Sequence, residues 1–171
     1  MSNWLKAMNP SSPITTEAEA ERAARASAIS IFIGVVVGLI SLAWTLANPQ
    51  ILENAMSQAG AGGMGEAQMA AAGQIAMYTA AFMVALQVIL GIVQWRNPGK
   101  FIAILFMVLI AYGLASTIVT PFLAASMPNI PDVPIWQIAL SVVVMIIQMI
   151  LHVPGLKGIK QLDRIQMEQS R

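Results

Sequence analysis

The sequence predicts an all-α integral membrane protein: an antiparallel four-transmembrane-helix bundle with cytoplasmic N- and C-termini and amphipathic tails. Three observations carry this. Residues 28–47, AISIFIGVVVGLISLAWTLA, contain no charge, and at about 1.5 Å per residue such a run crosses a hydrocarbon core of roughly 30 Å. The 171-residue chain is 57% hydrophobic and only 10% charged, where soluble domains hold about a quarter charged residues. Finally, four crossings gather all nine basic residues on one side: Lys6, Arg22, Arg25, Arg96, Lys100, Lys157, Lys160, Arg164 and Arg171. The other side holds Glu53, Glu66 and Asp132 with no Lys or Arg, so the positive-inside rule puts both termini in the cytoplasm. A bacterial cytoplasmic (inner) membrane is the expected location.

A tail over residues 1–15 comes first. Trp4, Leu5 and Lys6 suit a segment lying on the membrane surface, and Asn9-Pro10-Ser11-Ser12-Pro13 interrupts regular helix. Thr16-x-x-Glu19 has capping-box spacing and Glu21→Arg25 is a favourable i,i+4 pair, so a helix starts near Thr16 in water and runs into the bilayer. Acidic residues in this long lead argue against a cleaved signal peptide.

The first span covers 26–47. Its narrow small-residue face is built from Ser27, Ser30, Gly34, Gly38, Ser41 and Thr45, with bulky aliphatic side chains around the rest. Hydrophobic burial does not draw helices together in lipid, whereas close backbone approach along such a stripe does. It is therefore expected to be the packing surface that places this helix at the centre.

An external loop, 48–69, follows, with a short interfacial helix near 50–58 and a glycine-rich break at 60–63. The second span covers 70–95, its helix beginning near Glu66. Asn97-Pro98-Gly99 makes a tight corner to the third span, 101–125. A proline-rich external loop, 126–133, leads to the fourth span, 134–153, which is expected to stop at Pro154-Gly155. The remainder, 154–171, sets Ile159, Leu162 and Ile165 against Lys157, Lys160 and Arg164. It reads as a basic amphipathic tail along the headgroups.

No catalytic constellation is visible. The spans contain no Asp, Glu, Lys or Arg, the groups that mark ion and proton routes at depth. With no cysteine, thiolate metal sites and thiol redox chemistry are excluded; with one histidine, bis-histidine haem ligation is too. Met56, Met64 and Met69 are too widely spaced to read as a soft-metal site. No cofactor, metal or catalytic residue is expected, and a net charge of +1 without a basic, aromatic-interleaved patch implies no nucleic-acid partner.

What remains is a polar stripe of uncharged residues with one histidine: Gln87 and Gln94 on the second span, and Gln137, Ser141, Gln148 and His152 on the fourth. They serve either as interhelical hydrogen bonds or as the lining of a polar path. The expected function is accordingly a non-enzymatic accessory, assembly or scaffold subunit. Its partners are the lipid bilayer and other membrane subunits or copies of itself. An oligomeric transport or small-ligand-binding protein that uses these stripes is the alternative.

Overall fold

A computed structural model describes residues 2–58, 65–124 and 135–169. The glycine-rich break and the loop at 126–133 lie outside the described residues, as does Met64. Among the described residues every regular element is a helix, and four of these helices are long and apolar enough to cross a membrane.

A short helix, α1 (Ser2–Met8), precedes α2 (Glu17–Ala47). Thr16 caps α2 as its spacing predicts: its hydroxyl accepts from the Glu19 amide at 3.3 Å. Glu17 and Glu19 then suit the positive end of the helix. Asn48 ends α2 before Pro49, which opens α3 (Pro49–Gln58) from the first helical position, where its missing N–H is tolerated. The next helix, α4 (Glu66–Arg96), runs to the Asn97 cap, and α5 (Lys100–Ala124) follows at once.

The last helix differs from expectation. Pro154 does not stop it; α6 is continuous over Ile135–Gln169. A proline inside a helix removes one hydrogen bond and crowds the preceding turn, at about 3 kcal/mol or more. Here the next residues, Gly155 and Gly158, are buried flat against α2, and that contact holds the helix on course. The stretch beyond 153 is therefore part of the packed structure as well as a basic amphipathic segment.

Helix α2 packs against α6 and α4, and α5 packs against α6. Although consecutive, α4 and α5 touch each other far less than either touches its other neighbour. Contacts along α2 pair Ser27 with Gly155 and Ser30 with Gln148, and likewise Gly38 with Val84 and Ser27 with Gln94, so α2 runs opposite in sense to both neighbours.

Burial is concentrated at one end. Ala20, Ala23, Ala24, Ala26, Ala28, Ile31 and Val35 of α2, Leu151 and Ile159 of α6, and Ala103 and Phe106 of α5 are buried, and Ala24, Ala103 and Ile159 pack together as one cluster. The alanines permit this: with side chains one carbon long, the α2 and α6 backbones approach closely where larger residues would hold them apart. Toward the far end of the same helices, Val36, Leu39, Ile40, Trp44 and Leu46 are exposed.

Candidate functional site

The buried polar side chains lie within that packed end: Ser27, Ser30, Gln94, Gln148 and His152. Gln94 Nε2 donates to Ser27 Oγ at 2.7 Å, and Ser27 Oγ donates to the Ala24 carbonyl at 2.9 Å. The Gly99 amide donates to Gln94 Oε1 at 3.1 Å. One glutamine thus ties α2 to the corner between α4 and α5. A turn further on, Ser30 Oγ donates to the Gln148 carbonyl at 2.9 Å while Gln148 Nε2 returns a bond to the Ser30 carbonyl at 3.0 Å. This reciprocal pair joins α2 to α6 without any charge.

Gly34 makes room for the next layer. A β-carbon there would stand 2.9 Å from Gln148 Nε2 and 3.6 Å from Gln87 Oε1, so the two amides approach the glycine from α6 and α4. Gly38 meets Val84 in the same way, at 2.9 Å from its Cγ2. The remaining stripe residues are not gathered in. Ser41 is exposed, and Thr45 turns its hydroxyl back to the Ser41 carbonyl at 3.0 Å. On α6, Gln137 is exposed and Ser141 half-buried.

His152 is wholly buried, and neither ring nitrogen has a hydrogen-bond partner among the described residues. Within this belt of buried polar residues, Ser27, Ser30, Gln94, Gln148 and His152, it is the one titratable side chain, and no group of three or more His, Cys, Asp or Glu residues able to hold a metal occurs among the described residues. Chemically the belt is a set of neutral donors and acceptors satisfied mainly by one another. Bonds of this kind between membrane helices contribute about 0.6–2 kcal/mol each.

Two further features escaped the sequence. The N-terminal segment folds back onto the packed end: Trp4 stacks on Trp95 with ring centroids 6.0 Å apart and planes 8° from parallel, and Arg25 sits 5.4 Å from the centroid of the Trp95 ring. Lys6 pairs with Glu19 at 2.5 Å, and Lys157 donates to the Pro10 and Ser12 carbonyls at 3.3 and 2.8 Å. Contacts between positions 4 and 95 or 10 and 157 leave no local periodicity to read. At the opposite end, α2, α3 and α4 enclose an open groove of about 940 Å³ where Leu46, Leu52 and Met77 face Glu53, Gln74 and Tyr78.

The fold and belt define a class, an all-helical protein with four candidate membrane spans held together by small residues and neutral hydrogen bonds. Comparison with protein families, characterised proteins and solved structures found no match to this chain.

Proposed function

We propose that this is a non-catalytic multi-pass protein of a bacterial inner membrane, an antiparallel four-helix bundle with both termini cytoplasmic. It acts as an accessory, assembly or scaffold subunit through helix contacts in a larger membrane complex. The observation that supports this most is the uneven packing of the spans. In α4 and α5 only 11% of the most apolar 18-residue stretch is buried, against 33% in α2 and 28% in α6. Two flanking spans so sparsely packed leave most of their surface to lipid or to other helices, around a firmly built α2–α6 pair.

Extraction from native membranes in a gentle detergent tests the reading. Co-migration with a stoichiometric membrane partner supports it, and migration alone counts against it. Reporter fusions at residues 60 and 128 should read as external and one at 98 as internal; a cytoplasmic signal at 60 sinks the orientation.

A transport or ligand-binding role is favoured by one observation, the groove beside Gln74 and Tyr78. The amides of Gln94 and Gln148, by contrast, are engaged in holding helices. Solute flux in proteoliposomes of the pure protein would establish this rival.

A further inference from the structure

At the basic end of the molecule, Lys157, Lys160 and Arg164 fall within about 60° of arc on α6 at 100° per residue. The opposite face of the same turns, with Gly155, Gly158 and Ile159, is buried. The basic face forms the floor of an open groove of about 590 Å³, with Ile14 of the N-terminal segment and Lys100 at the start of α5 also lining it. Four basic side chains thus line a space that contains one lining carboxylate, Asp163, itself paired with Lys100 at 2.5 Å. Arg164 reaches Glu168 at 3.0 Å, and Lys157 is engaged with the Pro10 and Ser12 carbonyls. Lys160 is exposed with no ionic partner among the described residues.

We propose that this groove binds the phosphate of an anionic phospholipid in the leaflet at the basic end. Charge complementarity and position carry it. The groove is net cationic, and it sits where apolar spans α5 and α6 give way to charged sequence, the depth of lipid headgroups. Clustered Lys and Arg next to membrane helices attract anionic lipid. Among the groove's basic residues Lys160 is the one without an ionic partner or a backbone carbonyl to hold it among the described residues, and Ile14 adds an apolar side chain to the lining. The proposal rests on the membrane reading above but needs no partner protein.

The test uses the full chain, delipidated in a neutral detergent and titrated with phosphatidylglycerol or phosphatidylcholine while the unfolding midpoint is followed. Phosphatidylglycerol should raise the midpoint saturably and phosphatidylcholine should not. Replacing Lys160 by Gln should weaken the response by about fivefold, and Lys160→Gln with Arg164→Gln by more, since each basic residue near an anionic surface contributes on that scale. Arg96→Gln, an exposed charge at the same end but outside the groove, should respond as the unaltered protein does. Lys160→Gln alters only an exposed, unpaired side chain, so it keeps the test valid if the double variant folds poorly. Equal response to both lipids, or an equal loss with Arg96→Gln, overturns the site. An equal rise with free glycerol phosphate overturns the lipid assignment in favour of a soluble phosphorylated compound. None of these outcomes depends on whether the protein has a partner subunit.

Discussion

Gly158 of α6 lies directly against the backbone of Ala24 of α2. A β-carbon at 158 would collide with the Ala24 amide nitrogen and stand 2.6 Å from the Ala20 carbonyl oxygen and 2.8 Å from the Ala23 carbonyl carbon. All three are main-chain atoms of a helix and cannot rotate aside, so relief requires moving α6 as a whole. Three residues earlier, a β-carbon at Gly155 would stand 2.6 Å from Ser27 Cβ.

Gly158→Ala should therefore destabilise the protein, although alanine favours helix over glycine by about 1 kcal/mol. Overpacking costs typically about 1–3 kcal/mol, and the upper part of that range is expected where backbone meets backbone. Gly38→Ala meets only a Val84 methyl and should cost less; Gly65→Ala meets nothing within 4 Å and should cost only the weaker N-cap of α4, under about 1 kcal/mol. Thermal unfolding in detergent gives the order. If Gly158→Ala unfolds no earlier than Gly65→Ala, the close approach of α2 and α6 is wrong.

That contact also shows where sequence reading succeeded and where it ran out. The span at 28–47, the Thr16 cap, the Glu21–Arg25 pair at 2.5 Å and the corner at 97–99 are local, set by residues within a turn or two of one another. The stripe of Ser27, Ser30 and Gly34 was visible because it repeats at helical spacing, and so were Gln94 and Gln148. Gly155 reads as a helix end because Pro154 precedes it, and Gly158 falls within what reads as a basic amphipathic tail. Their matching surface, Ala20, Ala23 and Ala24, lies more than 130 positions away. Both are runs of small residues, and pairing them was the available signal.

Ser27 and Gln94 form the buried bond between α2 and α4. Ser27→Ala leaves the Gln94 amide without its acceptor in a site with 0% exposure, and an unsatisfied buried polar group costs about 1–3 kcal/mol. Gln94→Leu removes the polar group altogether and also frees the Gly99 amide from its side-chain acceptor. In a double-mutant cycle the two changes should be less than additive, with a coupling of about 0.6–2 kcal/mol. Strict additivity would mean that the two side chains do not share a bond.

His152 makes the opposite forecast. A neutral imidazole has one donor and one acceptor nitrogen, and burying polar groups without partners is costly. With no partner for either nitrogen among the described residues, His152→Leu should be neutral or stabilising, because an apolar group of similar size removes that cost. The measurement is the unfolding midpoint of the variant in detergent. A drop equivalent to more than about 1 kcal/mol, the usual net value of a hydrogen bond, would show that the ring is held by a polar contact and has a role beyond filling space.

The N-terminal segment gives a pH-dependent prediction. Glu19 is lowered from 4.5 to about 2, first by its bond to Lys6 at 2.5 Å and then by the Thr15 amide and hydroxyl at 2.9 and 2.8 Å. A carboxylate whose pKa is depressed on folding binds its proton less readily in the folded state. Its contribution is fully present above the ordinary value, near 4.5, and is lost as pH falls toward 2. Within that window the tether between α1 and α2 should loosen, while the Lys157 bonds to the Pro10 and Ser12 carbonyls, which do not titrate there, keep residues 10–12 near α6. Protection of the amides of residues 2–9, taken as exchange corrected for the pH dependence of the intrinsic rate, should therefore fall as the protein is acidified from pH 5 to about 2.5, with less change at 10–12. Glu19→Gln should show the lower protection already at neutral pH and lose the pH dependence of that protection. If exchange over residues 2–9 is the same in both proteins at every pH, Glu19 does not hold the segment, and the stacking of Trp4 on Trp95 is sufficient by itself.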